Sequence, residues 1–488
     1  MGLARNMIIA RQFGIGADLD AYYAAFKLPD LLFAIVAGGA LATAFIPVFA
    51  DFLAAGDRPG AWRLSAAITN LVVLVVSALA GLAWLAAPWL VSTVIAPGFD
   101  AAGQAETVQV MRIVLISTVI FGISAVQGSA LNGLKHFLLP ALAPVVYPLG
   151  IVAGAIFLAP RMGVAGLAVG AVIGSLLHLL IKVPGLVYYG FRWWPVLDLG
   201  TLPVRRVLLL MGPRVVDLFV FQFTLIATTN LASRLGPGGV SSVEWGWDAM
   251  QLPETLIGTA FGLVAFPTFA ELASLGDRDG LRSTLGETLR SVIALSLPAA
   301  VGLILLGRPL LAFLYQRGQF DAAAVDAVYT TLRFFALGLV GQVCLELAAR
   351  AFFAQQDTVT PLIVAVGSAA ANIALAVALM GVLGAGGLAL ANSLAVTAEV
   401  LVLLAILRRR WGDVEGQQMA RTLVRVGLAS LVMGLVLVAF LGWAGGAGLG
   451  NLPTLALGGV TGVVVYGVAG LLLGVRELRR LPAALLGR

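Results

Sequence analysis

The stretch APGFDAA (Ala96–Ala102) returns 221 residues later as RGQFDAA (Arg317–Ala323), with Phe99-Asp100-Ala101-Ala102 falling on Phe320-Asp321-Ala322-Ala323. Four shared residues mean little alone, but the offset persists without a gap. Gly81-Leu82 lies on Gly302-Leu303, Pro88 on Pro309, Arg112 on Arg333, Pro140 on Pro361, and Gly166-Leu167-Ala168 on Gly387-Leu388-Ala389. Upstream the register drifts: Pro47 meets Pro267, and Leu28-Pro29-Asp30 meets Leu252-Pro253-Glu254. The chain therefore reads as an internal duplication, which a fold must accommodate before anything else is decided.

Composition says what solvent that duplication meets. Of 488 residues 60% are hydrophobic and 11% charged, where soluble domains carry about 25% charged residues. Mean hydropathy is +1.01. So much apolar surface exceeds what a globular core hides, and lipid must solvate most of it. Thirteen apolar runs long enough to span a bilayer lie between residues 21 and 475, and residues 1–16 read as the end of another helix, fourteen in all. The expected fold is all-α and polytopic: two six-helix repeats related by an axis along the membrane normal, plus two extra C-terminal helices. The N-terminal lobe is expected over 1–190, the C-terminal lobe over 206–410, and helices 13 and 14 over 421–476. At the upstream register Val207–Thr224 finds no partner, so the first helix is expected to be truncated or its start codon late. No cleavable signal peptide is expected.

The net charge of +6 does not imply nucleic acid, because the basic residues are dispersed among short loops. Loops on one side hold 20 Lys and Arg, whereas those on the other hold Arg161, Arg234, Arg308 and Arg317. That asymmetry predicts both termini in the cytoplasm. The lone cysteine, Cys344, excludes an internal disulfide.

Against this apolar background the stretch ADLDAYYAAFKLPD (Ala17–Asp30) carries four ionisable side chains. Asp20 falls on Glu244 in the second repeat, each nine residues before the shared proline. Asp18 and Asp20 could cap a helix in an outer loop, or the two prolines could break helices that face a central cavity. Lys27 and Asp30, like Arg214 and Asp217, are spaced to share a helical face. Intramembrane ions are functional suspects by default; Glu346 and Glu399 join them as proton or cation sites or as paired acids. Arg112 and Arg333 read as snorkelling residues, and Asp100 and Asp321 as helix N-caps. Gly166, Gly170 and Gly174 form a ridge for close helix packing.

Enzyme signatures are missing: no Walker A loop, HExxH, GxSxG or CxxC is present, and His136 and His178 are the only histidines. The acidic triplets at 18–20 and 277–279 are too short to argue a glycosyltransferase metal site. No catalytic residue, metal or cofactor is expected, and transport must draw on a gradient or the substrate's own downhill flow.

Six stretches carry a family resemblance: GLARNMIIARQFGIGADLDAYYAAFKLPDLL (2–32), ATAFIPVFADF (42–52), APGFD (96–100), LNGLKHFLLPALAP (131–144), LYQRGQFDAAAVDA (314–327) and RAFFAQQDTVTP (350–361). With these the chain resembles the MurJ/MviN family of lipid II flippases, within the MOP superfamily of exporters. The resemblance implies fourteen helices around a V-shaped central cavity and a groove for a polyprenyl tail on the last two. It implies a bacterial plasma membrane location, with peptidoglycan and cell-wall biogenesis as the process served. The cargo implied is an undecaprenyl-diphosphate-linked peptidoglycan precursor, lipid II, moved from inner to outer leaflet by alternating access. The family's pattern carries over at Arg5, Asp20 and Lys27. It departs at Asn6 for an aspartate, Phe33 and Ala34 for two arginines, Gly38 for a glutamate, and Asp248 for an arginine. A diphosphate needs cations to offset its desolvation, so Arg5, Lys27 and Arg214 are the expected substrate contacts, Arg214 replacing part of what is lost. Asp20, Glu244 and Asp248 are the expected gating or ion-coupling residues, the coupling ion being open. Alternatives are export of another polyprenyl-linked glycan or of small cations, and a degenerate, non-transporting membrane scaffold.

Overall fold

A computed structural model describes residues 2–37, 40–412 and 416–478; the side chains at 36, 37, 40, 212–214, 216 and 217 lie outside that description, as does Gly38 altogether. Every regular element among the described residues is helical. The chain divides into two compact units, Met1–Ser241 with Arg317–Phe320, and Ser242–Gln316 with Asp321–Arg488.

The first unit contains α1 (Gly2–Phe13), α2 (Ala17–Ala37), α3 (Ala40–Ala54), α4 (Arg58–Leu90), α5 (Ala101–Gly133), α6 (Leu138–Ala153), α7 (Ala159–Met162), α8 (Val164–Leu180), α9 (Val183–Tyr188) and α10 (Leu202–Ser233). The first turn of α11 (Gly239–Glu254) belongs to it as well. The second unit takes the rest of α11 and then α12 (Ala260–Ser274), α13 (Arg278–Tyr315), α14 (Ala322–Leu337), α15 (Leu339–Ala354), α16 (Val359–Leu383), α17 (Ala385–Trp411), α18 (Gly416–Gly446) and α19 (Asn451–Leu472).

Ten helices among the described residues are long and apolar enough to cross a membrane, or eleven with α14 and α15 taken as one span bent by 47°. The 21-residue α2 falls outside that count because Asp18, Asp20, Lys27 and Asp30 interrupt its apolar character. Large apolar side chains such as Leu82, Leu85 and Trp89 of α4 and Val463 of α19 are exposed. On a polytopic chain such surfaces face acyl chains, against which leucine and tryptophan lose nothing.

Local chemistry repeats at the offset seen in the sequence. Asp100 and Asp321 cap α5 and α14 by accepting from the Gly103 and Ala324 amides at 2.8 Å, the roles expected of them. Asp57 and Asp277 cap α4 and α13 in the same way, through the Gly60 and Gly280 amides at 2.8 Å. Lys135 and Gln356, 221 residues apart, both take a left-handed backbone with φ near 60°. Such a conformation is uncommon outside glycine, so its recurrence reports a shared local fold.

The expected glycine ridge packs α8 on α6. A methyl group on Gly170 would lie 2.7 Å from the Gly150 carbonyl oxygen, and one on Gly154 would lie 2.6 Å from that of Gly166. The helices meet backbone to backbone, which only glycine allows.

Candidate functional site

Asp20 stands in the first turn of α2 and is 1% exposed. Its carboxylate accepts from the Gly238 amide at 2.7 Å and the Ser241 amide at 2.6 Å. Gly238 has φ +88°, and the two donors flank the start of α11. The first amides of a helix have no partner within it, and the positive end of its dipole favours an anion. Asp20 is therefore a cap, but of a helix more than two hundred residues away rather than its own.

A second junction lies at the end of α1 in the same unit. The Gln319 amide donates to the Arg11 carbonyl at 3.0 Å, and Phe320 is buried. Gly14 and Gly318 both have positive φ, and a methyl group on Gly318 would collide with the Arg11 carbonyl oxygen. Glycine is required there on two counts, conformation and space.

The remaining ions of α1 and α2 are unequal. Arg5 donates through Nε and Nη2 to Asn6 Oδ1 at 3.0 and 2.8 Å, so the neutral asparagine engages the guanidinium. Arg5 and Asp30 both act electrostatically on Tyr22 and Tyr147, which places the four in one neighbourhood. Asp30 is exposed and Lys27 buried. Pro29 does not break α2, which runs through it. Phe33, expected to replace an arginine, joins an aromatic row, tilted against Phe121 at 5.3 Å, which in turn meets Tyr147 edge-on at 5.0 Å. Arg214 lies within α10, and its side chain is outside the described residues.

One cation escaped the sequence reading. Lys182, grouped there with loop residues, is 2% exposed, and its Nζ donates to the Ser124 carbonyl of α5 at 2.5 Å. Ser124 Oγ in turn meets His178 Nδ1 at 2.8 Å. Lys182 lies two residues past the end of α8, where a lysine can reach out to water or turn back onto a neighbouring helix, and sequence alone does not distinguish the two.

In the second unit Glu244 and Asp248, four apart on α11, are both half-buried along one face, and Trp245 turns inward to meet Tyr315 edge-on at 4.6 Å. α11 passes close to α14 at Gly246, and Thr331 Oγ1 donates to the Ser242 carbonyl at 2.7 Å. Beyond Pro253 the helix widens into a π turn at Thr255–Thr259. There Glu254 and Glu346 flank Gly258, and Arg350 Nη2 pairs with Glu346 Oε1 at 2.5 Å, so Glu346 is a paired acid. Arg112 covers the Trp84 ring at 4.2 Å and Arg333 the Phe334 ring at 5.0 Å, contacts that stabilise a cation against an aromatic face. Among the described residues no group of three or more His, Cys, Asp and Glu could hold a metal.

Apolar spans carrying a sparse, structured set of ions define a polytopic membrane transporter fold. Solved structures share it: one described as lipid II flippase MurJ in an inward closed conformation superposes with a TM-score of 0.82 at 23% identity, over 100% of this chain and 97% of that one. An inward-facing multidrug resistance MATE transporter of the MOP superfamily gives 0.73 at 15% identity, over 85% of this chain and 94% of that one. The chain belongs to the lipid II flippase MurJ family, whose pattern it matches over residues 9–455. Its relatives include the lipid II flippase MurJ of Burkholderia cenocepacia, 32% identical over 84% of this chain and 81% of that protein. The probable flippases of Rhizobium tropici (31%; 90% and 83%) and Thermotoga maritima (29%; 98% and 94%) are similar over comparable lengths. The family is one of transporters, in agreement with the lack of enzyme motifs.

Proposed function

We propose that this protein moves lipid II from the inner to the outer leaflet of a bacterial plasma membrane by alternating access, with both termini in the cytoplasm. The observation that carries the reading is the family match across residues 9–455. The duplication favours the organisation expected from sequence, lobes over 1–190 and 206–410 with an added pair over 421–476.

Arg5 is the best-supported diphosphate contact. It lies in the family's motif and is half-buried, and its one hydrogen-bonded partner of known geometry, Asn6, is neutral. A guanidinium held by a neutral amide keeps its full charge for an incoming phosphate, which an aspartate would partly cancel. Lys27 and Arg214 are its expected companions. Asp20, Glu244 and Asp248 serve gating or ion coupling, and for Asp20 the support is physical: its two hydrogen bonds hold the start of α11, so releasing them frees that helix end.

The test is rescue. Cells depleted of their own lipid II flippase, supplied with this chain, should resume growth and move labelled lipid II outward, and Arg5→Ala should abolish both. Failure of the wild-type chain to rescue, at normal membrane abundance, overturns the reading.

A further inference from the structure

The second unit holds a charged cleft that the transport reading does not use. It opens where the third and fourth turns of α13 and the first turns of α18 meet the segment following α19, has a volume of about 240 Å³, and is lined by Arg290, Arg421, Arg425, Arg476, Glu287 and Glu477. Four guanidinium groups against two carboxylates leave an excess of two positive charges.

The lining is built rather than gathered by chance. Arg290 is 7% exposed and pairs with Glu477 at 3.5 Å, while Thr422 Oγ1 holds the same Glu477 oxygen at 3.1 Å. Arg425 Nη1 donates to the Gly474 carbonyl at 2.8 Å and so ties the segment after α19 to α18. These contacts fix the wall of the cleft, of which Arg290 is buried, and Arg421, Arg425 and Arg476 are exposed around its mouth. The apolar cluster of Ala294, Val426, Ala429, Met433 and Tyr466 begins just inside it. The arginines thus sit where hydrocarbon gives way to headgroups, at the depth of a phospholipid phosphate.

We propose that this cleft binds a phosphate oxyanion, and that its source is the headgroup of an anionic phospholipid in the monolayer facing the carboxyl-terminal end of the chain. Guanidinium forks match phosphate oxygens, and basic pockets between membrane helices recognise anionic headgroups. Ordinary loop arginines also attract such lipids, but diffusely. Here the concave wall, with a buried arginine at its base, makes one stoichiometric site. The inference does not rest on the flippase reading.

The test uses the full chain, with native mass spectrometry after titration with phosphatidylglycerol or phosphatidylcholine. Arg421→Gln with Arg476→Gln removes two exposed arginines and spares Arg290 and Arg425, which hold the wall. Arg58→Gln with Arg205→Gln removes two exposed charges elsewhere and serves as the control. One phosphatidylglycerol should be retained by the wild type and the control, with affinity falling on the order of tenfold or more in the cleft variant. Phosphatidylcholine should not compete. If inorganic phosphate displaces the lipid at millimolar concentration, the oxyanion site stands with soluble phosphate as its source. If the cleft variant binds as the wild type does, or the control loses as much, the site does not exist.

Discussion

Equivalent positions of the two units keep the same backbone and exchange their ions. Asp57 and Asp277, then Asp100 and Asp321, cap matching helices in matching ways. Where the first unit has His178 and buried Lys182, the second has Glu399 and buried Leu403 at the same offset. Where the second ties Asp357 to Arg410 at 2.6 Å, the first sets His136 edge-on to Tyr189 at 5.7 Å. Asp20 is sealed by two backbone amides, whereas its counterpart Glu244 is half-buried. Caps and turns, which determine whether a helix starts at all, are conserved between copies. Side-chain ions, which burden a membrane helix unless they serve it, have been free to differ.

The sharpest way to break this contrast is to remove both acids. Asp20→Ala strands two buried amides, each costing about 1–3 kcal/mol, so a loss of about 2–6 kcal/mol is expected. Glu244→Ala, partly solvated, should cost under about 1 kcal/mol. Thermal unfolding of both variants in detergent checks the pair, and equal losses would mean that the copies use their acids alike.

Glycine gives the next effect. Gly170→Ala drives a methyl group into the α6 backbone and should cost about 1–3 kcal/mol. Gly302→Ala meets nothing within 4 Å and should be neutral or stabilise by up to about 1 kcal/mol. A smaller effect on stability, with a larger one on function, is expected of Lys182→Leu, which writes the second unit's residue into the first. Exchanging a buried charge for a shorter apolar side chain should leave the melting temperature unchanged or raised. Transport should fall by about tenfold, about 1.4 kcal/mol on the barrier. Unimpaired flipping of labelled lipid II would show that Lys182 is mere ballast.

Much of this fold was legible because its signals are local. An aspartate before an apolar run predicts a cap, and three glycines at spacing four predict a helix contact; both hold for Asp100, Asp321 and the α6–α8 interface. The ions were legible as a set but not as individuals. Asp20 was singled out through its repeat partner, yet its amides lie beyond any window that periodicity can read. Lys182 was hidden because a basic residue near a span end looks like a topology signal wherever its side chain goes. Pro29 misled for the opposite reason: a proline in a helix removes one hydrogen bond, and α2 tolerates that loss without ending.

The smallest effect separates the ionic joint of the second unit from the aromatic joint of the first. Burial would raise the Asp357 carboxyl, but hydrogen bonds from the Thr360 hydroxyl and amide and from Arg410, with the Arg410 charge, outweigh it and hold the group down to about 2. A carboxylate whose folded pKa lies below its unfolded value stabilises the protein above the unfolded value, near 3.8, and loses that contribution as pH falls towards 2. Arg410→Gln removes the charge and one donor, so the carboxyl should rise back towards its ordinary value. The variant should be less stable than the wild type by a constant amount above about pH 5, under about 1 kcal/mol because the pair is partly solvated. That gap should close between about pH 4 and pH 2, where both proteins protonate Asp357. Tyr189→Leu, at the equivalent joint, should show no such closing over that range, because no carboxylate takes part there. A gap that persisted unchanged to pH 2 in Arg410→Gln would mean that the arginine acts by packing on Phe352, whose ring it covers at 5.3 Å, and the two joints would then differ in shape rather than in charge.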